Sequence, residues 1–369
     1  MEKNAQSTAS LPKTLVRPSS GVSEKHDPYL VALEPEDDPT SLPLWRRWLA
    51  TVIVNMGAIC VTGASAMAAT AEHSISAEFH VSVEVTILSV TLFTLGLGVG
   101  PVLIGPLAEM IGQRKIYLGS FFTMWCFTWP TAFSHSLAVH LIFRFLAGFC
   151  GSAFLSIGGA TITNLFRPED VGVPMAAYTI STFIGPVLTP MFQGYTKNAG
   201  WRWMYYVLLM WSFAETIALL AVPETVMAVL LRKKAAKLRK STGDQSYYAA
   251  SERAEHDFGS DLWKGLKDIL SIMLFDRMAF LLDVWLSLIL GILYLTFQAF
   301  PIIFAGKHGF NPGQTNLSFM GVLIGELIAL ASMVYWAPWG KRVAQRHGGN
   351  PPPEVWFAMG KIGGILIPI

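Results

Sequence analysis

A chain of 369 residues with 52% hydrophobic, 12% aromatic and only 14% charged side chains falls well short of the roughly one-quarter charge of soluble domains and reads as an all-α membrane protein. Its net charge of +2 lies in loops between apolar runs, with no basic face interleaved with aromatics, so nucleic acid is not an expected partner. Cys60, Cys126 and Cys150 fall inside apolar runs without CxxC spacing or a nearby His, a pattern of buried thiols rather than a metal site.

Residues 1–44 mix Ser, Pro, Lys, Glu and Asp without periodicity and lack the layout of a cleavable signal, which predicts a disordered tail. Trp45, Arg46, Arg47 and Trp48 form an aromatic and basic collar. Leu49 to Thr70 is then a first span whose basic end belongs in the cytoplasm. Ala71 to Glu84 carries Glu72, Glu78 and Glu84 but no Lys or Arg, as an outside loop should. Val85 to Ile104 is the second span. Its Gly96, Gly98 and Gly100 follow no strand, which favours close helix packing over a nucleotide loop.

Gly105 to Lys115 is a short basic turn, and Ile116 to Ala132 and His140 to Leu165 are spans three and four, separated by a tight loop without Lys or Arg. Phe166 to Asp170 is a polar cytoplasmic turn. Val173 to Phe192 has no charged side chain, and within it begins the run FIGPVLTPMFQG, Phe183 to Gly194. Two prolines so placed would end a helix in water. In a membrane, neighbouring helices cover the freed carbonyls, so a kinked and tightly packed span five is expected.

Trp203 to Val222 is span six. Residues 223–276 then change character, with Arg232, Lys233, Lys234, Lys237, Arg239 and Lys240 in one run, an orientation signal that also meets anionic lipid. Met278 to Phe304 and Leu317 to Trp336 are spans seven and eight. Val355 to Ile369 is apolar but shorter than the ~20 residues of a full span. The count is about eight full spans plus a partial ninth, the N-terminus cytoplasmic, the chain stopping inside its ninth span as a C-terminally truncated form would.

Three stretches carry a resemblance. GPLAEMIGQRK is similar to the loop signature G-x-L-a-D-r-x-G-r-k, keeping Gly105, Leu107, Gly112, Arg114 and Lys115, with Glu109 in the acidic place and Met110 and Gln113 replacing two basic residues. RFLAGFCG resembles R-x-x-x-G-x-x-G, giving Arg144, Gly148 and Gly151. FIGPVLTPMFQG resembles the antiporter signature of span five through Gly185, Pro186, Pro190 and Gly194, while Thr189 and Gln193 bring added volume where glycines are expected. WRWMYYV, PETVMAVLLRKKAAKLRK and GILYLTFQAFPIIF extend the likeness.

Together they resemble the major facilitator superfamily, in particular its fungal drug:proton antiporter branch of polyamine and multidrug exporters. The resemblance implies a major facilitator-type helical bundle with an N-terminal six-helix half at 45–222, a cytoplasmic central loop at 223–276 and an incomplete C-terminal half at 277–369. It also implies that the Gly105 loop latches a cytoplasmic gate, that Arg144 serves proton coupling, and that the span-five motif marks exporters rather than uptake carriers.

Four ionisable residues lie within or beside spans: Arg144, Glu215, Asp283 and Glu326. An intramembrane Arg needs a partner or a water-filled cavity, unless it lies near a helix end and snorkels to the interface. A carboxyl group in low dielectric can take up and release a proton near neutral pH, as a proton-driven exporter requires. Asp283 lies early in its span and Glu326 near mid-span. Tyr294, Phe297 and Phe300 offer aromatic faces to a cationic or lipophilic substrate, or else face lipid or core.

The expected function is proton-coupled efflux of drugs, polyamines or a toxic secondary metabolite across the plasma membrane by alternating access. Its partners would be a small-molecule substrate, protons and membrane lipid. The other reading is a truncated, non-transporting or partner-dependent membrane protein. No HExxH, GxSxG, Walker loop or Cys/His cluster suggests an enzyme or a cofactor.

Overall fold

The computed structural model describes residues 29–32, 34, 37–196, 200–253, 258–347 and 360. Residues 1–28 of the expected tail and the partial ninth span, Val355 to Ile369, lie outside the described residues. Two compact units are present, Met1–Ala32 with Leu231–Ala254, and Leu33–Leu230 with Glu255–Ile369.

In the larger unit, α1 spans Leu44–Met67, α2 Glu72–Phe79, α3 Val83–Ile111 and α4 Gln113–Ala132. Next come α5, Leu137–Gly151, α6, Ala153–Leu165, α7, Gly172–Thr196, and α8, Arg202–Ala218. Among the described residues, six helical runs are long and apolar enough to cross a membrane: Leu44–Met67, Val83–Ile111, Leu137–Leu165, Arg202–Ala221, Arg277–Thr296 and Gly313–Gly340. The more polar α4 and α7 cover spans three and five, and their 20 and 25 residues reach about 30 Å or more at helical rise.

The helices pack through small side chains, as they must where lipid gives no hydrophobic drive between them. Ala50, Val54, Ala58, Val61 and Ala64 bury one face of α1, which runs along α7, while α3 lies on α5 and α4 on α5 and α8. The Gly-rich stretch of α3 does pack closely. A Cβ at Gly96 would stand 2.7 Å from the Phe149 amide nitrogen of α5.

Span four is interrupted at Ser152, between α5 and α6, where the Ser152 hydroxyl turns back to donate to Phe149 O at 2.7 Å. The expected outside loop contains α2, ended by His80 in the left-handed region at φ 54°.

The segment 223–276, read as a loop from its charge, contains helices because Ala, Leu, Lys and Arg are strong helix formers. These are α9, Met227–Thr242, α10, Ala250–Arg253, and α11, Phe258–Phe275. Asp276 then caps α12, Arg277–Phe300, accepting from the Met278 and Ala279 amides at 2.9 and 3.0 Å. The chain continues as a π-helix over Pro301–Lys307, then α13, Pro312–Leu317, and α14, Met320–Arg346.

Within the smaller unit, Val31 packs against α9. Leu30 bridges Tyr248 in parallel fashion, Val31 N donates to Tyr248 O at 3.0 Å, and Val31, Ala235 and Ala249 are buried together. Arg239 grips Glu252 with two nitrogens at 2.8 and 3.1 Å. This guanidinium holds the Glu252 carboxyl below its usual range. A depressed folded-state value means the contribution is present above the ordinary carboxylate range and lost as pH falls through the folded value. Hydrogen exchange at the Val31 amide should therefore quicken below about pH 4, and Glu252→Gln should remove that acid dependence.

Candidate functional site

Among the described Lys and Arg residues Arg144 is the most deeply buried, 1% exposed, so it does not snorkel to an interface. Its Nε donates to Ser89 O of α3 at 3.1 Å, and Nη1 and Nη2 both donate to Ala64 O of α1 at 3.0 Å. The guanidinium stands 4.3 Å above the Phe93 ring and 5.7 Å from that of Tyr205. Among the described residues no carboxylate pairs with it. Carbonyl dipoles and ring faces alone support a charge that would otherwise be costly at this depth.

Ala64 is the middle of three consecutive α1 residues that other helices hold. Thr189 of α7 donates its hydroxyl to Gly63 O at 3.1 Å, and Ser65 Oγ lies 2.5 Å from Tyr294 OH of α12. Gly63–Ser65 thus gathers α7, α5 and α12 at one point. Gly185 permits the approach, since a Cβ there would stand 2.5 Å from Ile59 O and 2.6 Å from Gly63 N. Pro186 and Pro190 are buried within α7, which runs through both. Gly194 lies in its last turns. Thr189 does not loosen the contact as its added volume suggested, because its hydroxyl also reaches Gly185 O at 3.0 Å and finds acceptors on both helices.

Beside this hub, Ala66, Val187 and Phe319 are buried with Met191, Leu293, Tyr294 and Phe300 packed on them. Phe300 stacks at a tilt on Phe319, centroids 4.8 Å apart. Of the aromatic candidates, Tyr294 and Phe300 therefore sit where α12 and α14 meet α1 and α7, and the side chain of Phe297 lies outside the described residues. Glu215 is buried on α8, its Oε1 without a hydrogen-bond partner, and half-buried Glu326 on α14 has an Oε2 in the same condition. Asp283 is exposed on α12.

A second polar cluster holds the turn between α3 and α4. Gly112 adopts φ 109°, a conformation that suits glycine. Glu109, expected to be the carboxylate of this turn, is exposed, and so is Lys115. Gly105 and Leu107 lie half-buried on the last turns of α3, where a Cβ at Gly105 would stand 3.3 Å from Ser156 Oγ.

The carboxylate in place is Glu224, beyond the end of α8. Its Oε1 accepts from the amides of Gln113, Thr225 and Val226 at 3.0, 3.1 and 3.2 Å, capping the start of α4. Gln113 Oε1 accepts from Thr161 at 2.9 Å and from Thr225, and Arg114 donates to Leu220 O at 2.7 Å. Gln113, which replaces a basic residue of the pattern, is the neutral centre of this cluster. The sequence clue to Glu224 was a carboxylate in Pro223-Glu224-Thr225 directly after a span. Glu224→Ala should leave three amide donors unsatisfied and lower stability by about 1–3 kcal/mol, read as a fall in thermal midpoint in detergent.

Comparison with known proteins adds identity to this geometry. A family model described as Major Facilitator Superfamily matches residues 54–368. The chain is 37% identical over 255 residues to "Efflux pump atB" of Aspergillus terreus, covering 68% of this chain and 53% of that protein. It is 32% identical over 339 residues to "Probable drug/proton antiporter YHK8" of Saccharomyces cerevisiae, 91% and 66% of the two chains. With "Major facilitator superfamily multidrug transporter mdrA" of Aspergillus fumigatus it shares 34% over 362 residues, 95% and 59%. The chain thus spans between about half and two thirds of the length of these relatives. Among solved structures, a proton:xylose symporter, XylE bound to 6-bromo-6-deoxy-D-glucose, superposes with a TM-score of 0.54 at 12% identity, covering 79% of this chain and 69% of that one. That likeness concerns the fold alone.

Proposed function

The chain belongs to the major facilitator superfamily, a family of multi-pass membrane transporters, and within it we propose proton-coupled efflux of drugs, polyamines or a toxic secondary metabolite. The observation that carries this reading is Arg144, buried without a carboxylate and held by the same short stretch of α1 that the antiporter-type helix α7 grips. A charge supported by carbonyls and ring faces without a carboxylate responds when a neighbouring group gains or loses a proton. Glu215 and Glu326, each with a buried oxygen lacking a partner, are the carboxylates suited to carry that proton, with exposed Asp283 of α12 as the third candidate.

In this reading the Gly63–Ser65 hub and the Phe300–Phe319 contact close the outer side, and the Gly105–Lys115 turn with Glu224 fastens the cytoplasmic side. The N-terminus lies in the cytoplasm, because Arg46, Arg47, Arg114, Arg167, Arg232 and Arg342 fall at the ends of spans or between them on one side, and the plasma membrane is the membrane this reading assigns. The substrate is a small molecule with an apolar or cationic character, and no enzymatic step is assigned.

The span windows of α12 and of Gly313–Gly340 are only 0% and 6% buried, which favours a second reading, a partner-dependent membrane protein without transport of its own. Sealed vesicles with an imposed pH gradient separate the two. Gradient-driven movement of a lipophilic cation such as ethidium supports the exporter, and movement absent at every gradient supports the second reading.

A further inference from the structure

One buried titratable side chain beside Arg144 has no role in the reading above. His140, one turn earlier on α5, is fully buried. Its Nε2 lies 2.9 Å from Ser89 Oγ, and its Nδ1 lies 3.3 Å from Thr131 O and 3.5 Å from Ser134 Oγ. A carbonyl can only accept, so these partners assign the hydrogen to Nδ1, and Nε2 of the neutral ring accepts from the Ser89 hydroxyl. The carbonyl of that same Ser89 accepts from Arg144 Nε. His140 and Arg144 therefore grip two groups of one residue of α3.

The surroundings of the ring contain cations and aromatics. Tyr205 and Trp201 face it at 5.7 and 5.6 Å, and Phe79 of α2 at 6.0 Å. Arg202, at the start of α8, donates to Ser134 O at 2.8 Å and pairs with Glu78 of α2. Glu78 also accepts from Trp201 Nε1 at 2.5 Å, so its carboxylate is engaged away from the ring. Among the described residues no carboxylate bonds to His140, so a charge on the imidazole would face Arg144 and Arg202 in low dielectric without compensation.

We propose that His140 is a proton-sensing positioning residue whose protonation from the side of Glu78 and Arg202 drives Arg144 off Ala64 and releases the α1 end that meets Tyr294. In the step, a proton from solution adds to the Nε2 lone pair, and the new N–H donates to Ser89 Oγ. The Ser89 hydroxyl hydrogen turns to a carbonyl one turn back on α3, and no other bond forms or breaks. Repulsion between imidazolium and guanidinium then moves the side chain that holds Ala64, and Ser65 is the next residue along α1. The inference rests on the proton-coupled reading above.

The test uses the intact chain in lipid vesicles, with Cys60, Cys126 and Cys150 replaced by alanine and spin labels on cysteines at exposed His80 and His308. On acidification from about pH 7.5 to about pH 3.5, far enough to charge an imidazole that faces two guanidinium groups, the population of long label distances should rise at least about threefold. His140→Gln, which keeps a hydrogen-bonding end but cannot titrate, should stay at the neutral distribution. His140→Lys should show the long distance already at the neutral pH. Acid opening undiminished in His140→Gln, a closed His140→Lys, or no acid response in the parent would each overturn the proposal.

Ethidium transport as a function of external pH is read in the same vesicles, and the profile should flatten in His140→Gln. Failure of the parent to transport while the labels still respond overturns the exporter reading and leaves the proton-sensing role supported.

Discussion

Valine at Gly185 is expected to give a large loss of stability. A new Cβ would meet the Thr62 hydroxyl and two main-chain atoms of α1, 2.5 Å away at Ile59 O and 2.6 Å at Gly63 N. Backbone cannot swing aside as the end of a flexible side chain can. The two helices must separate along their length, and such overpacking costs about 3 kcal/mol. Separation also draws Gly63 away from Thr189 and moves Ala64 relative to Arg144, so transport should fail together with stability. Gly98→Val is the control. No atom stands within 4 Å of a Cβ at Gly98, which faces outward on α3, and the thermal midpoint in detergent should hardly move. Equal destabilisation by the two valines would show that the α1–α7 contact has no special role.

The contrast between those glycines shows what a linear reading can and cannot supply. GxGxG in an apolar run announces close packing, yet only the rotation of α3 against α5 decides that Gly96 meets backbone and Gly98 meets nothing. The spans were legible because length and absence of charge are local properties, and Arg144 was legible because a cation in such a run is rare. Glu224 was not, because its amide partner Gln113 lies 111 positions away, and nothing in either stretch points to the other. Thr189 brings volume where a glycine is expected, and what the sequence could not show is that its hydroxyl is satisfied by a carbonyl of α1. Helices α2, α9 and α11 were hidden for a simpler reason. Polarity separates membrane from water, but it does not separate helix from loop once the chain leaves the membrane.

Arg144→Ala is expected to reduce gradient-driven transport by at least about 100-fold, equivalent to about 2.7 kcal/mol of barrier, while leaving insertion intact. The variant loses three charge-assisted hydrogen bonds, one to Ser89 O and two to Ala64 O, and the stacking on Phe93. Such bonds contribute about 1.5–3 kcal/mol each, far more than the transport loss needs. Removing a charge from a span eases insertion, so protein level in the membrane separates a functional loss from a folding loss.

Arg144→Lys sharpens the assignment. A single ammonium cannot reach Ser89 O and Ala64 O with the planar fork that guanidinium offers, so charge alone should restore less than about a tenth of the rate. Glu326→Gln gives the complementary result, because an amide cannot carry a proton through the cycle. It should abolish the response to the pH gradient while substrate exchange at equal pH continues. Arg144→Ala that retained the gradient response, with Glu326→Gln equally indifferent, would remove both residues from coupling and leave Glu215 as the titrating group to examine.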